Sequence, residues 1–369
     1  MIRKDPDHRN GEEQTLALEK QGRQAEHLVI PAFILTLEKE NMDMKKRFWF
    51  VATAVIFVLT MANFSFGADY PTKPITLINP MPPGGYLDVQ ARAFASVADK
   101  VLGQPIVVVN KPGATGMVGG VSVAQAAPDG YTLLVGSVNI PNALEWEIAN
   151  GRKPPFSRQD FACIGTFTMS PTLLVVAADA PYKNLADFIA DAKARPGQMA
   201  FSSGGLYGMS HLPAEIFARA AGLKFRHVPS GGGGPALTAV VGKHVDFNVN
   251  YPPNTLPLVR GNKLKALVVI GSQRLKAAPN VPTTKELGID AEYYGWVGLM
   301  APAKTPKPIV EKLRDVLKKV AESKAFIDMI ETPGDEVHFL NGDELAKYME
   351  VESAKIAKLY AEMVKEGAK

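Results

Sequence analysis

Pro80-Met81-Pro82-Pro83-Gly84-Gly85-Tyr86-Leu87-Asp88 follows a short apolar run, Ile75 to Asn79, and opens a run carrying Val89, Ala93, Phe94, Val97 and Val101. The first run reads as a strand and the second as an amphipathic helix. Prolines straighten the approach, and Gly84-Gly85 let the backbone turn sharply and come close to a neighbour. The helix N-terminus that follows directs unpaired N–H groups, and the positive end of its dipole, at the space beside the loop. Two readings fit. One is an anion pocket that holds one end of a carboxylated small molecule. The other is a tight strand-to-helix turn with Asp88 as its cap.

Outward from this loop, strands and helices alternate. Ile106-Val107-Val108-Val109 is a continuous β-branched strand, Asn110 to Gly116 a loop, Met117 to Ala126 a helix of small residues, and Tyr131 to Val135 the next strand after the turn Pro128-Asp129-Gly130. A second unit repeats the order. Leu173 to Ala177 is a strand, Leu185 to Ala194 a helix, and Met199-Ala200-Phe201 a strand that enters the loop Ser202 to Gly208. His211 to Ala221 is a helix, and the strand Phe225 to Val228 runs into Gly231 to Gly234, after which Pro235 takes the first position of a helix. Val245 to Val249, ending at Asn250, and Ala266 to Ile270 are further strands. This order predicts an α/β protein of two doubly wound lobes. In open parallel sheets ligands sit beyond the C-terminal ends of strands. The loops at Gly84, Gly113, Ser202 and Gly231 occupy that position. The C-terminal helices, Ile309 to Glu322 and Glu344 to Glu366, carry Lys and Glu at helical spacing and predict a solvated face.

The chain has 369 residues, 46% apolar and 21% charged, enough for two domains with ordinary cores. A net charge of +4 without a basic run in the body argues against nucleic acid as a partner. The single cysteine, Cys163, excludes an intramolecular disulfide and reads as a small core residue in the strand Phe161 to Gly165. Residues 1–43 carry six Lys/Arg against nine Asp/Glu, show no clear domain pattern, and read as a disordered, non-native N-terminal extension. Residues 44–67 read as a signal peptide: a basic Met44-Lys45-Lys46-Arg47, an apolar run from Phe48 to Ala62, and a cleavage site near Gly67/Ala68. Met44 or Met42 is then the expected start, and the protein is expected to be exported. The apolar run is shorter than the ~20 residues of a membrane span.

The sequence offers one enzymatic alternative. Gly113-Ala114-Thr115-Gly116-Met117-Val118-Gly119 resembles the glycine-rich cofactor loop of short-chain dehydrogenase-like proteins, which keeps a nucleotide-dependent dehydrogenase in play. Against it, the loop follows the second strand rather than the first, and the chain has no Tyr-x-x-x-Lys pair. Gly231 to Gly234 lack the Gly-Lys-Ser/Thr ending of a phosphate loop, and no Gly-x-Ser-x-Gly elbow occurs. Ser203 and His211 have no acidic partner at a meaningful spacing, and His211 reads as a brace for the adjacent loop. The histidines beyond the signal, His211, His227, His244 and His338, show no metal-ligand spacing. No cofactor, metal or catalytic residue is expected. Loops rich in backbone donors and hydroxyls suit binding without chemistry.

Several segments together resemble the substrate-binding proteins of tripartite tricarboxylate transporters, the Bug/TctC-like family. They include Tyr70 to Ile75, Pro82 to Gly85 with Asp88, Gly103-Gln104-Pro105 through Gly113, and Pro128 to Leu133. Ser202-Ser203-Gly204 with Ser210-His211-Leu212, Gly232 to Leu237, Pro279 to Thr284, Trp296 to Leu299 and Ala301 to Pro306 continue the series in family order. The resemblance implies a periplasmic binding protein of type II-like fold, with the ligand cleft between lobes joined by two crossing segments. Lobe 1 would comprise residues 68–169 and 292–369, and lobe 2 residues 170–291. The implied ligand is a small carboxylate. The implied partner is a membrane permease of one large and one small subunit, served by a monomeric receptor.

By the same resemblance, Pro83, Gly84, Gly85, Tyr86, Leu87 and Asp88 grip the ligand from one side. Ser202, Ser203, Gly204, Tyr207 and His211 grip it from the other. Thr168 and Ser170 line the crossover, Gly231 and Gly232 the far wall, and Asn250 stands where an aspartate is common. The chain departs from the family pattern in carrying Tyr86-Leu87 where a Gly-Thr pair is usual, and in the bulky Leu206, Tyr207 and Met209. Asparagine at 250 is neutral and both donates and accepts. These departures predict a bulkier, apolar or aromatic acid in place of an amino acid or a citrate-like polyanion; alternatively, the side chains pack against their own lobe.

Overall fold

The computed structural model describes residues 70–367, so the expected extension (1–43) and signal peptide (44–67) lie outside the described residues. The first elements are β1 (Ile75–Asn79), α1 (Tyr86–Leu102), β2 (Ile106–Asn110), α2 (Met117–Ala124), β3 (Thr132–Ser137) and α3 (Asn139–Ala149). Next come β4 (Phe161–Ala177), α4 (Leu185–Ala194), β5 (Ala200–Ser203), α5 (Leu212–Ala220), β6 (Arg226–Pro229), α6 (Gly233–Val241), β7 (Phe247–Asn250), α7 (Pro252–Arg260) and β8 (Leu264–Ile270). The chain returns through β9 (Tyr294–Pro302) to α8 (Lys307–Glu322), α9 (Lys324–Glu331) and α10 (Gly342–Lys365).

The strands run in the order β2-β1-β3-β9-β4-β7-β5-β6, with β8 also on β4. Pairings of β1 with β2 and β3 are parallel, as are those of β5 with β6 and β7, while β9 and β4 enter antiparallel. Parallel pairing follows from the helical crossovers between consecutive strands. Phe161 to Pro171 of β4 pair with β9, and from Thr172 onward β4 pairs with β7 and β8. The two stretches that read as separate strands, Phe161 to Gly165 and Leu173 to Ala177, are therefore one. Pro171, which has no N–H to give to a ladder, stands where the partners change.

Burial follows strand period. Leu174 and Val176 join Phe188, Phe201, Phe217 and Phe247 in one core, while Leu173 and Val175 join Leu237, Val240 and Leu256 in another. Both faces are apolar because helices cover both. The larger core holds β1, β3 and β9 against α1, α8 and α10. The β-branched run in β2 is less enclosed: Val107 is 49% exposed, as befits an edge strand.

Three local expectations change. The helix expected from Pro235 begins two residues earlier, at Gly233, with Gly232 as its N-cap. Proline is tolerated throughout a first turn, whose N–H groups have no intrahelical partner, so it does not mark the start uniquely. Helices α3 and α7 carry Pro141 and Pro257, and their prolines hide them from a pattern reading. Cys163 is half-buried rather than enclosed, and burial pushes its thiol up to about 11, so it stays protonated.

Candidate ligand-binding site

A cavity of about 440 Å³ lies beyond the strand ends. Residues 81–87 after β1, Gly113, Thr115 and Gly116 after β2, and Asn139 after β3 line one side. Gly204, Gly205 and Gly208 to Ser210 after β5, Gly231 to Pro235 after β6, and Asn250, Tyr251 and Asn254 after β7 line the other. All four loops expected at strand ends meet here.

The opening loop is held from within. Asp88 is 3% exposed and accepts from the Gly84 N–H at 2.9 Å, Asn110 Nδ2 at 2.8 Å and both Arg92 Nε and Nη2 at 3.0 Å. Burial raises its pKa, but the bonds from Arg92, Gly84 and Asn110 outweigh that and bring it down to about 2. Asp88 thus shapes the loop and does not line the cavity. Gly84 needs its φ of +74° for the turn. Gly85, the N-cap of α1, has no side-chain cap, and neither has Gly232 at α6. Among the described residues, the first N–H groups of both helices therefore lack side-chain partners at opposite walls of the cavity.

Of the remaining expected site residues, Pro83, Gly85, Tyr86, Leu87, Gly204, Gly231, Gly232 and Asn250 line the cavity. Asn250 uses both amide atoms: Oδ1 accepts from the Tyr251 N–H at 2.9 Å and Asn254 Nδ2 at 3.2 Å, and Nδ2 donates to the Gly233 carbonyl at 3.3 Å. Ser202, Ser203, Thr168, Ser170, Tyr207 and His211 do not line it. Ser202 Oγ donates to the Ala236 carbonyl at 2.7 Å, and Ser203 Oγ lies 2.7 Å from His227 Nε2. Ser170 Oγ donates to Asp335, and Thr168 Oγ1 is buried with no partner among the described residues. His211 Nδ1 accepts from the Tyr207 N–H at 3.0 Å, the bracing role read from the sequence. Tyr207 is 4% exposed and packs between Trp146 and Tyr360.

The bulky departures divide between the two readings. Tyr86, Leu87 and Met209 face the cavity, Tyr207 packs against other elements, and Leu206 is 40% exposed. Sequence reasoning missed Asn139, Tyr251 and Asp335. Asn139 Oδ1 accepts from the Met209 N–H at 2.9 Å across the cavity; its place after β3 is a strand-end signal that could have found it. Tyr251 stacks on Tyr86 with centroids 4.7 Å apart and planes 13° apart.

The glycines of α2 have a packing explanation. A Cβ on Gly119 would come within 2.7 Å of Pro80 Cβ, and one on Gly120 within 2.5 Å of the Phe156 ring. Close contact of α2 with its neighbours requires them.

Residues 90–364 match the family described as "Tripartite tricarboxylate transporter family receptor". This chain belongs to that receptor family. It is similar to protein BugT of Bordetella pertussis, 34% identical over 287 residues that cover 77% of this chain and 86% of the relative. MatC of Rhodopseudomonas palustris, solved with bound malate, is 29% identical with a TM-score of 0.71, covering 79% of this chain and all of that one (100%). An adipate-bound protein of the same organism is 27% identical with a TM-score of 0.73, covering 79% and 98%. The receptor is a periplasmic solute-binding protein of mixed α/β periplasmic binding protein fold, and it is not an enzyme. Family membership thereby overturns the dehydrogenase alternative built on Gly113 to Gly119.

Proposed function

We propose that the receptor binds a small organic acid with an apolar or aromatic body, and passes it to a membrane permease of one large and one small subunit. One observation carries the ligand class: among the described residues, no Asp, Glu, Lys, Arg or His side chain lines the cavity. Its polar groups are backbone N–H groups, the amides of Asn139, Asn250 and Asn254, and the Thr115 and Ser210 hydroxyls, while Met81, Pro82, Pro83, Pro112 and Pro235 supply apolar surface and the stacked Tyr86–Tyr251 pair, largely buried, borders it. Aligned N–H dipoles hold a carboxylate without a paired cation. A polyanion such as citrate would bury several charges against too few donors. The malate- and adipate-bound relatives support the carboxylate class. A second reading, an apolar-bodied dicarboxylate, is favoured by the uncapped α6 N-terminus opposite that of α1.

The lobe boundaries we favour, 169/170 and 291/292, are supported by the exchange of β4 partners at Pro171 and Thr172 and by the return of the chain through β9. Export with cleavage near Gly67/Ala68, and action as a monomer, complete the proposal.

A thermal-shift screen of the purified protein against carboxylic acids tests it. An acid at about 100 times its dissociation constant adds about 2.7 kcal/mol of stability. Shifts with benzoate or adipate and none with citrate support the proposal. Shifts with citrate alone would refute the apolar-body assignment, and no shift with any carboxylate would refute the ligand class.

A further inference from the structure

Beneath the aromatic wall of the cavity lies a buried carboxyl group that does not line it. Asp335, beyond the end of α9, is 2% exposed. Its carboxylate accepts from Tyr86 Oη at 2.8 Å, Gln90 Nε2 at 2.5 Å, Ser170 Oγ, and the Glu336 N–H at 3.1 Å. Tyr86 and Gln90 belong to α1, whereas Ser170 stands just before the point where β4 changes partners. The segment carrying Asp335 is itself fixed. Val337 bridges Thr168 of β4, and the His338 N–H donates to the Phe167 carbonyl at 3.1 Å. Gly334 adopts φ +107°, and a Cβ there would lie 2.5 Å from Leu256 Cδ1 of α7. The carboxyl group is therefore a fixed anchor, and the Tyr86 ring is directed by it.

We propose that Asp335 is a positioning residue for ligand binding: it holds the Tyr86 ring flat on Tyr251 and ties that wall of the cavity to the strand shared by both sheets. The ligand half of this proposal rests on the cavity being the acid site; the positioning half does not. Stacking leaves a ring free to slide, whereas a hydrogen bond at its far end fixes its direction. An ionised carboxylate accepts from all four donors, but a protonated one must itself donate and has less capacity to accept. Protonation therefore reverses one bond of the set, with the Tyr86 or Ser170 hydroxyl, or the Gln90 Oε1 that has no partner among the described residues, as acceptor, and so changes what the Tyr86 hydroxyl meets. Burial pushes the Asp335 pKa up to about 6, against the pull of Ser170 and Tyr86. The titratable groups that face it are Tyr86 from α1, Tyr251 ahead of α7, and Glu336 on its own segment; Gln90 and Ser170 are neutral.

The test reads Tyr86 directly, in protein labelled with ¹³C at tyrosine Cζ. Tyr86→Phe, which keeps the stacked ring, assigns the signal. The wild-type signal is expected to titrate with a midpoint near pH 6, and in Asp335→Asn to be displaced and flat from about pH 5 to about pH 8. A flat wild-type signal, or a titration that survives in Asp335→Asn, overturns the proposal. If that variant does not fold, Ser170→Ala serves: loss of a donor to the carboxylate must move the midpoint up, and an unmoved midpoint overturns it. Calorimetry with adipate then tests the ligand half. Wild type is expected to lose about tenfold in affinity between about pH 8 and about pH 5.5, with Asp335→Asn weak and less pH-dependent throughout. Comparison of the two proteins cancels the acid's own protonation, and equal pH dependence in both overturns the ligand half. Failure of adipate to bind at any pH would count against the acid site while leaving the tyrosine signal to decide positioning.

Discussion

The Trp146 indole stacks on the Tyr207 ring with centroids 3.7 Å apart and planes 29° apart. Trp146 belongs to α3, whereas Tyr207 belongs to the loop between β5 and α5, on the opposite side of the cavity. Tyr360 of α10 stands edge-on to both rings at 5.4 Å, and its hydroxyl donates to the Tyr207 carbonyl at 3.3 Å. Thr115 Oγ1 also donates to the Leu206 carbonyl at 3.3 Å. Protein contacts alone therefore clasp the β5 loop to α3 and α10. Tyr207→Ala is expected to cost about 3 kcal/mol and to shift Trp146 emission to the red, because a buried aromatic is deleted from a packed cluster. Urea unfolding followed by fluorescence checks both; an unshifted emission would mean that Trp146 does not depend on Tyr207 for its shielding.

Tyr86 should carry part of the apolar contact with the ligand, with Tyr251, 1% exposed, stacked on it. Tyr86→Ala removes one ring and exposes the other, and a loss of about 10- to 100-fold in affinity for benzoate or adipate is expected, equivalent to about 1.4–2.8 kcal/mol. Titration calorimetry measures it. Unchanged affinity would place the ligand elsewhere in the cavity.

Asn250→Asp replaces a donor facing the Gly233 carbonyl by a second acceptor and adds a negative charge to the cavity wall. Weakening of a simple carboxylate by about tenfold or more is expected, since like charges in a partly desolvated site repel. An acid that also carries an ammonium group should lose less. Equal losses for both acids would show that position 250 does not discriminate charge.

A buried histidine, His211, and a half-buried one, His227, set an acid limit on stability. Burial, reinforced by His227, lowers His211 to about 3, and burial lowers His227 to about 4. In the unfolded chain both take up protons near pH 6.5. The unfolded state therefore binds more protons below that pH, and stability that is full above it is lost as pH falls, by up to about 1.4 kcal/mol per pH unit for each group. Asp335 acts in the opposite sense, since its raised pKa favours the folded state as pH falls below about 6. His227→Gln is expected to recover about 1 kcal/mol of the loss between about pH 7 and about pH 5 in urea titrations. Identical losses in variant and wild type would exclude His227 as a contributor.

Gly298 of β9 lies against β4 so closely that a Cβ would collide with the Gly165 carbonyl oxygen and approach Thr166 Cα at 2.8 Å. Gly298→Ala is expected to cost about 3 kcal/mol or more, because the obstacle is backbone and cannot turn aside. A loss below about 1 kcal/mol in chemical denaturation would show that the two strands can separate at this point.

The sequence by itself determined the α/β alternation, the strand-end loops at Gly84, Gly113, Ser202 and Gly231, and a bracing role for His211 beside its own loop. These follow from hydrophobic period, turn chemistry and contacts a few residues apart, all written locally in the chain. Tertiary structure alone decided the direction of side chains within those loops. Tyr86 and Tyr207 are both aromatic residues in glycine-rich loops, yet Tyr86 faces the cavity and Tyr207 turns to Trp146 and Tyr360, because residues far away in the chain stand opposite each. Asp335 lies outside every motif read from the sequence, and only folding places it under Tyr86, 249 residues away in sequence. The same holds for β4, whose two apolar halves became one strand shared by both sheets once β9 and β7 supplied partners on either side of Pro171. A local pattern fixes which residues a loop contains; what each one meets depends on long-range packing that no window of sequence encodes.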